Sequence, residues 1–159
     1  MGNMFYGCDS LLFVDLSYLN TSSVNNMSNL FYNCYSLIVI DLSNLDTSGV
    51  YTFDHMFYGC SSLLFIDLSN FNATLATNMD YMFYGCISLI SIDLSNFNTL
   101  SLVNIDYMLY GCISLKILDI SGFNLINIEE ASNLFYNLTN LKHPKHHSHI
   151  QNSSYPLGV

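Results

Sequence analysis

The sequence predicts an α/β solenoid, a right-handed superhelix of stacked coils with one short parallel strand and one short helical turn in each. Two observations carry that reading. A 26-residue unit recurs from Met4, Leu30, Met56, Met82, Met108 and, incompletely, Leu134, with no insertion or deletion between copies. Within each copy the apolar spacing changes from alternation to a helical turn. A fixed period of this length marks a repeat architecture, in which each unit buries its faces only against its neighbours.

The strand comes first in the unit. Leu63-Leu64-Phe65-Ile66-Asp67-Leu68 places Ile66 and Leu68 on one face and Phe65, Asp67 and Ser69 on the other. The L-x-x-I-x-L spacing is the strand core of a leucine-rich repeat. Ser69-Asn70-Phe71-Asn72 follows as a turn with one apolar anchor. Its last position holds Asn in every coil except at Asp46, and such side chains bond to loop backbone. Met79, Met82 and Phe83 then stand at i, i+3, i+4, which suits one buried helical turn. Gly85 closes it, replaced by Asn33 and Asn137 elsewhere, and both residue types enter the left-handed conformation readily.

The predicted boundaries are residues 1–141 for five full coils and part of a sixth, and 142–159 for a polar, His-rich tail expected to be disordered. The first coil has no polar cap before it in this sequence. Leu11, Val14 and Leu16 are therefore expected at an open edge, with the domain continuing upstream or self-associating there.

Composition narrows the partners. Apolar residues make up 51% of the chain, enough for a packed core. Charged residues are 9%, with twelve acidic residues against three lysines and a formal charge of −9. No basic stripe exists for nucleic acid. No apolar run is long enough for a membrane span, so membrane insertion is not expected. The start of the sequence has no secretory-signal pattern.

The motif MFYGCSSLLFIDLSNF at Met56–Phe71, repeated as MFYGCISLISIDLSNF at Met82–Phe97, resembles the BspA-like leucine-rich-repeat family of surface proteins. The resemblance spans about Met4 to Leu141. It implies a place at the cell surface or outside the cell, and a role in adhesion and protein–protein recognition. The chain itself carries no lipobox or wall anchor.

Four columns bear chemistry. Cys8, Cys34, Cys60, Cys86 and Cys112 align, but equivalent side chains in parallel coils point the same way. Five is odd and no CxxC spacing exists, so free buried thiols are expected. Asp15, Asp41, Asp67, Asp93 and Asp119 form a ladder of like charges on the strand face. Raised pKa values, hydrogen bonds from Ser17, Ser43, Ser69, Ser95 and Ser121, or a ladder of bound Ca²⁺ could relieve it, and the Ser/Asp stripe is the expectation. The aromatic column from Tyr6 to Tyr136 is expected to stack from coil to coil beside a buried Phe column. His143, His146, His147 and His149 cluster in the tail, and sequons fall at Asn20, Asn26, Asn72, Asn137 and Asn152.

These readings converge on a non-catalytic recognition module for a protein ligand. Phe13, Val39, Phe65, Ser91 and Ile117, beside the Asp column, are the expected binding residues of the concave face. A scaffold that self-assembles through the first coil is the alternative. No catalytic residue, metal ligand or cofactor is assigned. A unit repeated alike in every coil rarely brings unlike groups to one place, and catalysis needs that asymmetry.

Overall fold

The structure, a computed structural model, describes residues 1–142. The chain winds in a stack, and each 26-residue unit lies against the next in register. Parallel bridges join Asn26 to Thr52, Thr52 to Asn78, Asn78 to Asn104 and Asn104 to Glu130. On the opposite side of the unit, Ile38 N–H donates to Leu12, Leu64 to Ile38, Ile90 to Leu64 and Lys116 to Ile90, at 2.9–3.4 Å. Only two of these segments meet the geometry of regular strands. They are β1 (Ser91–Asp93) and β2 (Ile117–Asp119), which pair in parallel with Asp93 opposite Asp119.

The segment that closes each coil is not a helix. Its N–H groups alternate in destination. Phe53, His55, Phe57 and Gly59 donate to Asn78, Asp80, Met82 and Tyr84 of the next coil, while Met56, Tyr58 and Cys60 donate three residues back. This alternation serves both the turn and the stack, and it fits the same i, i+3, i+4 burial that a helix would give. Positive φ recurs every four residues, at Gly59 and at Gly85 (φ 71° and 69°), and at His55 and Tyr81 (φ 56° and 54°). Asn33 and Asn137 replace Gly at the first of these positions, also with positive φ.

The core is a set of columns running through the stack. Phe31, Phe57, Phe83 and Leu109 are buried, as are Met27, Met56, Met79 and Met82. The Phe rings stack in parallel, 5.2–5.6 Å apart from Phe5 to Phe83. Cys34, Cys60, Cys86 and Cys112 are buried free thiols, and each Sγ–H donates to a carbonyl of the preceding coil, as Cys60 does to Phe31 at 3.2 Å. Cys8 differs in being exposed. Burial pushes the Cys34 thiol up to about 11 and the Cys112 thiol to about 12. At the first coil Leu11 and Val14 are half-buried, but Leu16, expected at an open edge, is buried.

A threonine clamp fastens the polar turn. Thr47 Oγ1 donates to the Asn72 carbonyl at 3.2 Å and accepts from the Asn72 N–H at 2.8 Å. Thr21 and Thr99 hold Asp46 and Asn124 in the same way. The Asn72 side chain then accepts from Thr74 N–H at 3.0 Å, closing an Asx turn. Ala73 stands where the clamp residue of its coil would be, and the corresponding Asn98 turn is longer, at 3.4 Å.

Candidate functional site

The strand face presents the expected residues outward. Phe13 is 74% exposed, Val39 57%, Phe65 54% and Ile117 62%, while Ser91 is half-buried. Asp15, Asp41, Asp67 and Asp93 are exposed and Asp119 is half-buried. A second apolar row, Leu12, Ile38 and Leu64, is exposed beside the first. Strict alternation would send it the other way, but the backbone here is not regular strand. A shallow cleft lined by Leu64, Ser88, Ile90, Ser114, Lys116 and Asn140 adjoins the row.

The Asp column is relieved within each coil. Asp15, Asp41, Asp67, Asp93 and Asp119 each accept the N–H of the serine two residues on, at 2.8–3.0 Å. The Ser17 hydroxyl and then its N–H hold Asp15 below the usual carboxylate range, and Ser43 does the same for Asp41. For Asp67 the Ser69 N–H comes first and its hydroxyl second. Repulsion from Asp41 is the weakest influence on both Asp15 and Asp67. Asp15, Asp41 and Asp67 are therefore lowered, where stacking of like charge alone would raise them.

The tyrosine column forms a continuous ladder. Rings stack from Tyr6 through Tyr32, Tyr58, Tyr84 and Tyr110 to Tyr136 at 4.5–4.9 Å. Beside it runs a shorter ladder that the sequence reading did not anticipate. His55 stacks on Tyr81 at 4.7 Å, and Tyr81 on Tyr107 at 4.9 Å. All three have positive φ, at positions where Asn3, Asn29 and Asn133 stand in other coils. Bulky residues rarely adopt that conformation.

Next to this ladder lies a polar cluster that the sequence reading also missed. The column 28, 54, 80, 106, 132 reads Ser, Asp, Asp, Asp, Ser. Asp54 Oδ1 accepts from the Ser28 hydroxyl at 2.5 Å and from the Thr52 hydroxyl, and its Oδ2 lies 3.4 Å from His55 Nδ1. These contacts, His55 foremost, hold the Asp54 carboxyl at about 2. Burial pushes the neighbouring Asp80 above the usual range. The two columns were visible in the repeat alignment, and reading them side by side would have flagged His55. The tail histidines and Asn152 lie outside the described residues.

No helix of the described residues is long and apolar enough to cross a membrane. Comparison with curated proteins and with solved structures gives no match. A family model described as "Mycoplasma protein of unknown function, DUF285" matches residues 1–113 and again residues 64–155. The two matches overlap along the repeats and together span most of the sequence. The chain thus belongs to the DUF285 family of repeat proteins.

Proposed function

We propose that the chain is a leucine-rich-repeat solenoid of the BspA-like surface type, and that it is a non-catalytic module recognising a protein ligand at the cell surface or outside the cell. The observation that carries this reading is the strand face. Two adjacent rows of exposed apolar side chains, Phe13, Val39, Phe65 and Ile117 with Leu12, Ile38 and Leu64, run beside a row of carboxylates. Contiguous exposed apolar surface rimmed by polar groups marks interaction sites. The Asp row gives such a surface a preference for basic partners. The aromatic members, Phe13 and Phe65, suit the centre of a contact.

The experiment measures adhesion of the purified chain to immobilised extracellular proteins and to whole cells. It compares wild type with Phe65→Ser and Ile117→Ser, whose side chains are exposed enough that folding survives. Saturable binding lost by both variants supports the reading. Binding that both variants retain, or no binding to any surface, overturns it.

Self-assembly through the first coil is a second reading, favoured by the exposure of Met4 (52%) and Tyr6 (54%) at that end of the stack. Sedimentation equilibrium separates the two, because a concentration-dependent dimer abolished by Tyr6→Lys belongs to assembly.

A further inference from the structure

The strand-face reading leaves the Asp54 cluster unused. Asp54 and His55 end the second coil, and Asp80 ends the third. Each offers one ligand atom, these atoms lie within 4.8 Å of one another, and all three residues are half-buried. Two further observations show that the cluster is more than a group of acids. Asp80 Oδ1 is buried and, among the described residues, has no hydrogen-bond partner. A buried polar atom left without a partner is costly, and an ion is one of the few things that satisfies it. Among the described residues no lysine is one of the charged groups acting on Asp54 or Asp80, and the His55 imidazole is the nitrogen donor beside them.

We propose that Asp54, His55 and Asp80 bind a divalent first-row transition metal ion of the Zn²⁺ or Mn²⁺ class, joining the second coil to the third. The donor set decides the class. An imidazole with two carboxylates suits transition ions, whereas Ca²⁺ takes six to eight oxygens. Two ligands each about 2.0–2.2 Å from one Zn²⁺ lie at most about 4.4 Å apart. Small side-chain rotations close the observed spacing to that value. Three protein ligands leave further positions for water or a partner's side chain.

The surroundings orient the donors. Ser28 and Thr52 hydroxyls occupy Asp54 Oδ1 and leave Oδ2 toward His55. Oriented carboxylates of this kind are a usual outer shell of metal sites. Thr52 itself stands where three of the other coils have Asn26, Asn78 and Asn104, whose side chains instead accept backbone N–H groups at 2.8–2.9 Å. The second coil thus changes two columns together, Asn to Thr at 52 and Asn or Tyr to His at 55. The site also occurs once in the stack. Asp106 lies beside Tyr107, and Ser28 and Ser132 lie beside Asn29 and Asn133, so no other coil supplies the imidazole.

The test uses the full chain with His143, His146, His147 and His149 changed to Ala, so that the tail cannot take the ion. Calorimetric titration with ZnCl₂ is expected to show one ion per chain. His55→Asn and Asp80→Ser are each expected to weaken binding at least tenfold. Both variants place residues that equivalent positions already carry, Asn29 and Ser28, so the coils keep their fold. As a check that needs no variant, Mn²⁺ is expected to broaden the NMR signals of Tyr58 and Tyr81, which touch His55, before those of Tyr136. Absence of binding, affinity unchanged in both variants, broadening that spares Tyr81, or displacement of Zn²⁺ by equimolar Ca²⁺ each overturns the proposal.

Discussion

Neutralising Asp54 and neutralising Asp80 are expected to move stability in opposite directions, although the two carboxylates occupy one column of adjacent coils. Asp54 titrates at about 2 against an ordinary 3.8, chiefly through His55, with Ser28 and Thr52 assisting against desolvation. At ~1.4 kcal/mol per pH unit that difference corresponds to about 2.5 kcal/mol. The side chain keeps 22% of its surface in solvent, and screening reduces the figure to about 1–1.5 kcal/mol. A carboxyl lowered in the fold stabilises above its ordinary value and loses that contribution as pH falls through the folded one. Asp54→Asn is therefore expected to lose about 1–1.5 kcal/mol at pH 7, lowering Tm by about 3–5 °C. The gap to wild type should close as pH falls from about 4 through about 2. Asp80 is raised, first by burial, so its charged form opposes folding at neutral pH. Asp80→Asn should raise stability at pH 7, with the gain fading as pH falls through the raised folded value and gone below the ordinary carboxylate value. Urea titrations with EDTA present, followed by circular dichroism across pH, read both effects. Equal signs at pH 7, or an Asp54→Asn deficit that persists undiminished near pH ~2, would refute the reasoning.

Three further outcomes follow from the columns. Thr47→Val should cost about 1.5–3 kcal/mol in urea denaturation, because it leaves the Asn72 N–H and carbonyl without their clamp. Ala73→Thr should gain about 0.5–1.5 kcal/mol by supplying the missing clamp to Asn98, and an unchanged midpoint would count against the clamp. Thiol titration with a disulfide reagent should find Cys8 reactive in the native protein and all five cysteines reactive in denaturant, since burial raises the other four thiols.

Much of the architecture was legible because identical residues repeat at one period. The Cys, Phe and Tyr columns name their own neighbours once the period is known. The positive φ at Gly85 and Asn33 was legible for a local reason, since few residues enter that region. The same reasoning hid His55, Tyr81 and Tyr107, because aromatic side chains are rare there. The closing segment could not be told from a helix by spacing. Burial of Met79, Met82 and Phe83 is served equally by turns whose alternate N–H groups leave for the next coil. Exposure of Leu12, Ile38 and Leu64 was out of reach for a similar reason, since alternation assigns faces only where the strand is regular. The Asp column was legible in position and in its relief by the serine two residues on, although the serine N–H joins the expected hydroxyl as donor. Asp15, Asp41 and Asp67 answer to the serine two residues away more than to the next carboxyl along the stack.

The bonds that join one coil to the next link residues 25 to 29 positions apart, so they point along the stack. A pull on its two ends therefore loads them one interface after another, as a zipper is loaded, rather than all at once in shear. Each interface that yields frees a 26-residue coil, about 85–95 Å of extended chain. Stretched in this way the molecule lengthens in even steps under modest force, and dissipates work over a distance many times its resting height.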